Sequence, residues 1–529
     1  MSAAARRRPR TDRPAYAVAG MAATVAGLGA GHLLATWIGT SPVLAVGARA
    51  VDLVPAGLKE WAVAAFGTAD KAVLIATVAL VTVLVGAGAG LAERAREGLG
   101  VGVICVLAAV AGVAAATGPA AGQLDFVPSV VAAILAIVLL TRITGLLRRA
   151  GRAPGDSGPG SLAPVEAPAD PPRHAGGTDV PRRQAMGVSA AALVGGLAAG
   201  AVGRQLTRAT SSQTITPPPA ATPLPPLPSG LEGSIPGLTP WRTPVSDFYR
   251  IDTALSVPRV DIGDWRLVVD GDVDRPLTVT LAELLDMPMV EADLTLNCVS
   301  NPIGGPYIGS TRFLGVPTVD LLERVGIRPG VEQILSTSHD GMTISTPVEA
   351  LLDRERGALL AVAMNGAPLP RAHGFPVRMV TPGLYGYVGA TKWLTRLTAT
   401  TYAGAPAYWT VRGWAAKADV QTQARIDVPA SRVDAGPVVV AGVAWSQAHR
   451  GIRAVDVSID GGDWQPATLG PDGGAHYWRQ WTYPWAATRG DHEVAVRATD
   501  GEGTPQTEVV ADVIPSGATG LHTISVTVR

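Results

Sequence analysis

Apolar residues are distributed in two ways along this chain. Up to about residue 205 they form long runs almost free of charge; beyond it they alternate with polar residues in short stretches. Five runs, at about 15–38, 72–92, 98–118, 124–147 and 185–203, approach or exceed the ~20 residues a helix needs to cross a bilayer. The fourth is weakest, because Asp125 and Arg142 shorten its apolar centre, although an arginine there can snorkel to the interface. Five such runs in one region argue against buried soluble helices. The expectation is an N-terminal α-helical membrane bundle followed by a water-soluble part.

Basic residues orient the bundle. Arg6, Arg7, Arg8, Arg10 and Arg13 precede the first run, Arg94 and Arg96 follow the second, and seven arginines lie in 142–184. The other loops hold only Arg49, Lys59 and Lys71. An N-in start with five spans places every arginine-rich segment inside and everything after about residue 204 outside. Arg182 and Arg183, just before the fifth run, resemble an uncleaved twin-arginine export signal; two ordinary positive-inside arginines give the same pair. A single histidine, His32, lies in a span, too few for a haem with two axial histidines.

Residues 150–184 are rich in Gly, Pro and Ala and read as a disordered cytoplasmic linker. Residues 212–230 hold seven prolines. They read as an extended polyproline spacer, roughly 37 Å for twelve residues, standing the outer part off the membrane.

In the outer part, Trp265 to Asp272 alternates and ends in a turn, so a strand is predicted there. Thr280 followed by Glu283 is a capping box opening a short helix. Pro317–Val325 and Pro347–Leu352 read as two more helices. Strands and helices mix without regular alternation over 241–405, which predicts an α+β domain. From 406 onward the runs Val438–Trp445, Ile452–Ile459, Glu493–Ala498 and Thr523–Val528 alternate, with Asp-Gly turns at 460–461 and 500–501. That predicts an all-β sandwich of immunoglobulin type.

Net charge is zero over 529 residues, which argues against nucleic acid as a partner. Only two cysteines occur, Cys105 in an apolar run and Cys298 at the end of an alternating stretch, so Cys298 has no evident disulfide partner. A lone thiol before a polar turn and two glycines suits a metal ligand or a nucleophile; a buried structural thiol is the alternative. A second dense stretch runs from Met364 past His373 and Arg378 to Gly386, Gly389 and the pair Lys392–Trp393. Pro, Gly, His and basic residues in a loop suit the holding of phosphate oxygens.

Taken in order, Asp247 to Arg250, Leu296 to Asn301, Asp340–Gly341, Met364 to Gly366, His373 to Arg378 and Lys392–Trp393 resemble the molybdopterin domain of the sulfite oxidase family over about 241–405. The resemblance implies an α+β domain holding molybdenum and molybdopterin, with Cys298 as thiolate ligand to the metal. It places Tyr249 and Arg250 at the first cofactor contact. His373 and Arg378 fall on the loop holding the pterin and its phosphate, and Gly389, Thr391 and Lys392 on the next phosphate-side loop. Residues 406–529, through Gly442–Trp445, Trp478–Trp481 and Arg497–Asp500, resemble the immunoglobulin-like domain that accompanies it and serves dimerisation in relatives, which implies a homodimer.

The domain layout expected is four spans in 1–149, the linker 150–184 and the fifth span with its arginine pair at 185–205. A proline-rich extracytoplasmic linker at 206–240, the molybdopterin domain at 241–405 and the β domain at 406–529 follow. The function expected is a multi-pass plasma-membrane oxidoreductase performing oxygen-atom transfer at an extracytoplasmic catalytic domain, on a small molecule or an oxidised side chain. Sulfite is not the expected substrate, because Ile303 stands where sulfite oxidases carry an arginine and Met342 where they carry a tyrosine. Without haem-attachment or iron–sulfur cysteines, electrons pass to or from a separate partner. The alternatives are a sulfoxide-type reductase fed by a membrane partner and a non-catalytic binding module.

Overall fold

The computed structural model describes residues 12–54, 58, 65–66, 69–118, 121–150, 179–209 and 213–529. The chain forms two compact units, Met1–Ser212 and Gln213–Arg529. Residues 151–178 of the expected cytoplasmic linker, and Arg6, Arg7, Arg8 and Arg10, lie outside the described residues.

In the first unit five helices are long and apolar enough to cross a membrane: Arg13–Leu34, Asp70–Ala95, Leu99–Ala116, Val127–Ala150 and, within Asp179–Ala209, Val180–Leu206. These are the five expected runs. The fourth helix continues unbroken past Arg142, so the arginine does not end it. Arg182 and Arg183 sit inside the first turns of the last helix. An additional helix, Pro42–Leu53, has 12 residues and is too short to span.

Small residues let the backbones of these helices approach closely. A Cβ at Gly20 would lie 2.0 Å from the Gly86 carbonyl oxygen, and one at Gly90 only 1.9 Å from that of Tyr16. Glu93 is buried and accepts from the Gly98 and Gly100 amides and from Arg148 Nη2 at 2.9 Å. A buried carboxylate so surrounded ties the adjoining ends of three of these helices.

The second unit holds two five-membered sheets and a β-sandwich. One sheet runs in the order Leu277–Thr280, Arg266–Gly271, Leu394–Thr400, Gln333–Ser338, Thr343–Pro347. The other runs Val290–Asn297, Ile308–Pro317, Leu359–Met364, Ala367–Pro368, with Arg378–Val380 also paired to Leu359–Met364. The helices Leu281–Leu285, Thr318–Val325 and Val348–Leu352 stand where the sequence predicts them, and the Thr280–Glu283 capping box is formed. Strands Leu359–Met364 and Arg378–Val380 are buried throughout and form the centre of the core.

The sandwich packs the sheet Gln423–Val428, Gly436–Trp445, Arg479–Ala487, Thr468–Leu469 on the sheet Arg432–Val433, His522–Val528, Gly490–Asp500, Ile452–Ile459, Gln465–Pro466. Trp481, Val440, Val455, Val494 and Val496 fill the space between them. A third core joins the sandwich to the part that precedes it through Trp241, Val299, Tyr385, Val443, Trp445 and Trp478.

The proline-rich stretch is not a free spacer. The Ala221 amide donates to the Met289 carbonyl, Thr222 bridges Val290, and the Leu224 amide donates to Glu291. Arg312 Nη2 holds the Pro225 carbonyl at 2.7 Å and Ile215 is buried in the main core. A polyproline chain has no internal hydrogen bonds, so its carbonyls are free to be taken by a neighbouring surface. Here that surface is the outer edge of the Val290–Asn297 strand.

Trp481 is fully buried, whereas Val439 on the same sheet is 46% exposed. Trp481→Ala is expected to cost about 3–5 kcal/mol and Val439→Ala less than about 0.5 kcal/mol, read by denaturant unfolding followed by circular dichroism. Equal losses would contradict this assignment of the sandwich core.

Candidate active site

The strand Val290–Asn297 is the outer member of its sheet and delivers Cys298 at its end. Its exposed edge is a liability unless something covers it. The proline-rich stretch covers the first half, at Val290 and Glu291. The sandwich covers the second half at Thr295, whose three polar groups are all engaged. Its amide donates to the His476 carbonyl at 2.9 Å, its carbonyl accepts from Gln447 Nε2 at 3.1 Å, and its hydroxyl accepts from the Trp478 amide at 2.8 Å.

Beyond the strand the Cys298 amide donates to the Tyr307 carbonyl, and Asn301 Oδ1 accepts from the Tyr307 amide at 2.8 Å, closing the loop. Arg425 of the sandwich donates to the Gly305 carbonyl at 2.9 Å, and the His522 ring lies against Gly304, where a Cβ would come within 2.3 Å of it. Gly304 has φ +73°, a further reason for glycine there.

Cys298 is half-buried on the wall of a half-open cleft of about 930 Å3, its solvent-open mouth included. Tyr249, His373, Arg378, Thr391 and Lys392 line the same cleft. The structure therefore brings together six of the eight residues singled out from the sequence. Arg250 does not line it; its guanidinium pairs with Asp252 at 2.8 Å, beside the cleft. Gly389 does not line it either and packs against Leu384 and Thr381, where a Cβ would be crowded at 2.9 Å. Met342 lines the cleft and Ile303 does not.

Two loops build the basic side. Gly374, at φ +109°, ends the turn Arg371–His373, and a Cβ there would meet the Lys392 backbone at 3.1 Å. Trp393 locks the loops together: its amide donates to the Gly374 carbonyl, its indole to that of Arg371 at 2.7 Å. The Met379 amide donates to the Thr391 carbonyl, and the Thr391 hydroxyl meets that of Ser336 at 2.5 Å.

Burial, with Tyr249 opposing it, brings the Arg378 guanidinium down to about 10. Burial likewise lowers Lys392 to about 8, against the pull of Asp252 at 2.6 Å. His373 falls to about 4, first through burial and then through Arg378 and Lys392, so its ring is neutral at pH 7. Burial, and then the facing Cys298, pushes the Tyr249 hydroxyl well up. Cys298 itself is raised by burial; its hydrogen bond with Ser300, 3.0 Å from sulfur to oxygen, and the charge of Lys392 work the other way.

Among the described residues Asp252 is the one carboxylate lining this cleft, against Lys392 and Arg378. With Arg250 beside it, the basic side is net positive at neutral pH and suits an anion. Arg378 Nε and Ser338 Oγ are buried without a hydrogen-bond partner among the described residues, and both side chains line the cleft. Orphaned buried donors beside a half-open space call for a polar ligand. A soft thiol, a positive wall and unspent donors fit a sulfur-ligated metal carried on a phosphorylated group.

The family pattern described as the oxidoreductase molybdopterin binding domain matches residues 254–409. Chicken (Gallus gallus) sulfite oxidase is 30% identical over 308 residues, 49% of this chain and 67% of that one. This chain belongs to the sulfite oxidase family. Human (Homo sapiens) mitochondrial sulfite oxidase is also 30% identical, over 312 residues that make up 56% of its length. An inducible NADH nitrate reductase of soybean (Glycine max) is 29% identical over 34% of its length. This chain thus spans between a third and two thirds of these relatives. The sulfane dehydrogenase SoxCD of Paracoccus pantotrophus covers 54% of this chain and 83% of its own, at 23% identity and TM-score 0.47. Membership of this family of molybdopterin oxidoreductases implies the molybdenum cofactor, which the residues of the cleft fit.

Sequence reasoning missed Asp252, Ser300 and Ser338, and the aromatic side of the cleft formed by Tyr387, Trp409 and Trp414. Two signals were present: an acid two residues after Arg250 and a serine two after Cys298.

With cofactor absent, alkylation of Cys298 by iodoacetamide is expected to have its midpoint above the ordinary thiol value of about 8.5, because burial raises it. Lys392→Met removes a charge that favours the thiolate and should move the midpoint higher still. Peptide mapping by mass spectrometry across pH gives the profile. A midpoint below the ordinary value would contradict this electrostatic account.

Proposed function

We propose that the Gln213–Arg529 unit is a molybdopterin-dependent oxidoreductase catalysing oxygen-atom transfer, with Cys298 as the thiolate ligand to molybdenum. The observation that carries this is the position of Cys298 on the wall of a cleft that also holds His373, Arg378, Thr391 and Lys392. When bound, the cofactor supplies two-electron redox chemistry and accepts or gives up an oxygen atom. The chain's own residues do the rest. Arg378 and Lys392 neutralise the anionic cofactor, and Asp252 holds Lys392 in place. His373, kept neutral, shares the basic wall without adding charge. Tyr249, kept protonated beside Cys298, is a hydrogen-bond donor at the metal side. Arg250 and Gly389 act from behind the wall, through Asp252 and through loop packing.

The same reading makes the five apolar helices a multi-pass anchor and puts the catalytic unit on the extracytoplasmic face. The arginine distribution supports that orientation. The Arg182–Arg183 pair supports export of a folded, cofactor-loaded domain. The two cysteines leave no haem-attachment or iron–sulfur set, so electrons pass through a separate carrier. Val509 and Val510, 71% and 84% exposed on the 406–529 β domain, offer an apolar edge for the homodimer implied by family likeness. Sulfite is disfavoured as substrate, because Met342 brings no charge to the cleft and Ile303 stays outside it. A non-catalytic binding module has no use for a thiol facing buried cations.

Full-length protein from cells that make the pterin is expected to carry about one molybdenum per chain by elemental analysis. Cys298→Ser should remain folded and lose turnover; unchanged turnover would remove Cys298 from the metal. An epitope placed after residue 529 should be reached by antibody on intact cells. Labelling only after permeabilisation would overturn the orientation.

A further inference from the structure

A second group of metal-ligating side chains stands on the β-sandwich, and none of its members lines the cleft. Strands Ile452–Ile459 and Gly490–Asp500 pair antiparallel with Ile452 opposite Asp500, so the turn before one meets the turn after the other. The Gly501 amide donates to the His449 and Gly451 carbonyls at 3.0 and 2.8 Å. A Cβ at Gly501 would lie 2.4 Å from the Arg450 carbonyl oxygen, so glycine permits this close approach. The two turns are thus locked together, and they carry His449, Asp500 and Glu502 to one point. One ligand atom of each lies within 4.8 Å of the other two.

Asp500 is only 3% exposed. Its Oδ1 accepts from the Glu502 amide at 3.0 Å and the Thr504 amide at 2.8 Å, while no hydrogen bond reaches Oδ2 among the described residues. A buried carboxylate with an unspent oxygen calls for a cation. Among the described residues neither Asp500 nor Glu502 pairs with an arginine or lysine; the Arg453 guanidinium lies beside Gly503 instead. His449 Nδ1 stands 3.8 Å from Glu502 Oε2, too far for a hydrogen bond. It is close to the spacing of two ligands on one ion, roughly 3–4 Å for bonds of about 2.1 Å. Two carboxylates and one imidazole also stay net negative even with the ring protonated.

We infer that His449, Asp500 and Glu502 bind a divalent transition-metal cation of the zinc class, with water in its open positions. Calcium and magnesium take oxygen ligands, whereas an imidazole nitrogen beside carboxylates suits zinc. His449 is half-buried and Glu502 exposed, so the ion enters from solvent. The same turn carries Gln447, whose Nε2 holds the Thr295 carbonyl at 3.1 Å, so the bound ion fastens the turn on which the Cys298 strand leans. This site does not depend on the proposed oxygen-atom transfer.

The test uses full-length holoprotein, dialysed against EDTA to remove loosely held metal and titrated calorimetrically with zinc chloride. Saturable binding of about one ion per chain is expected, weakened about tenfold or more in His449→Ala and in Glu502→Gln. Asp500→Asn keeps an oxygen for the two amides and removes the charge, so it should fold and bind as weakly as the other two. Cobalt chloride should occupy the same site and give an absorption spectrum without the sulfur charge-transfer band that Cys298 would add. Zinc should slow deuterium exchange at the amides of 446–451 and 500–504 in the native chain and not in His449→Ala. No saturable zinc binding, calcium bound more tightly than zinc, or zinc affinity unchanged in all three variants overturns the inference.

Discussion

The edge of one strand governs the geometry of the site. Val290–Asn297 ends its sheet, and a lone edge strand would fray at the very end that carries Cys298. Thr295 prevents this by spending its amide, carbonyl and hydroxyl on the β-sandwich, three residues before the thiol. Val299, the next residue after the thiol, is buried in the core shared with the sandwich, and Arg425 fixes the loop at Gly305. A cofactor ligand has to be held within a fraction of an ångström. Under the role proposed for Cys298, that precision comes from the β-sandwich, through Thr295, Val299 and Arg425.

The same docking explains the electrostatics. Packing the thiol loop against two locked basic loops buries Arg378 and Lys392 deeply enough to lower both. Charges held that way are costly until an anion arrives. The cleft thus gathers buried cations and half-buried aromatic side chains into one lining.

Most of the architecture was legible because its signals are local. Long apolar runs gave the five helices to within a few residues, and the Thr280–Glu283 pair gave its helix outright. Alternation gave four sandwich strands, while Gln423–Val428, which alternates poorly, was missed. The cleft was legible in part. Cys298, His373, Arg378 and Lys392 stand out by residue type and by motif order, whereas Asp252 and Trp414 reach the cleft only through tertiary folding. The proline-rich stretch was misread for a physical reason. Its composition reports an extended backbone, and whether that backbone runs free or lies along a strand edge depends on partners such as Arg312 and Met289 that are distant in sequence.

The claim on which all of this turns is that the Cys298 sulfur binds the metal. X-ray absorption at the molybdenum edge of the purified full-length protein tests it most directly. The account predicts a sulfur shell containing one more sulfur in the native chain than in Cys298→Ser, with the pterin sulfurs retained in both. An identical sulfur shell in the two proteins would contradict it.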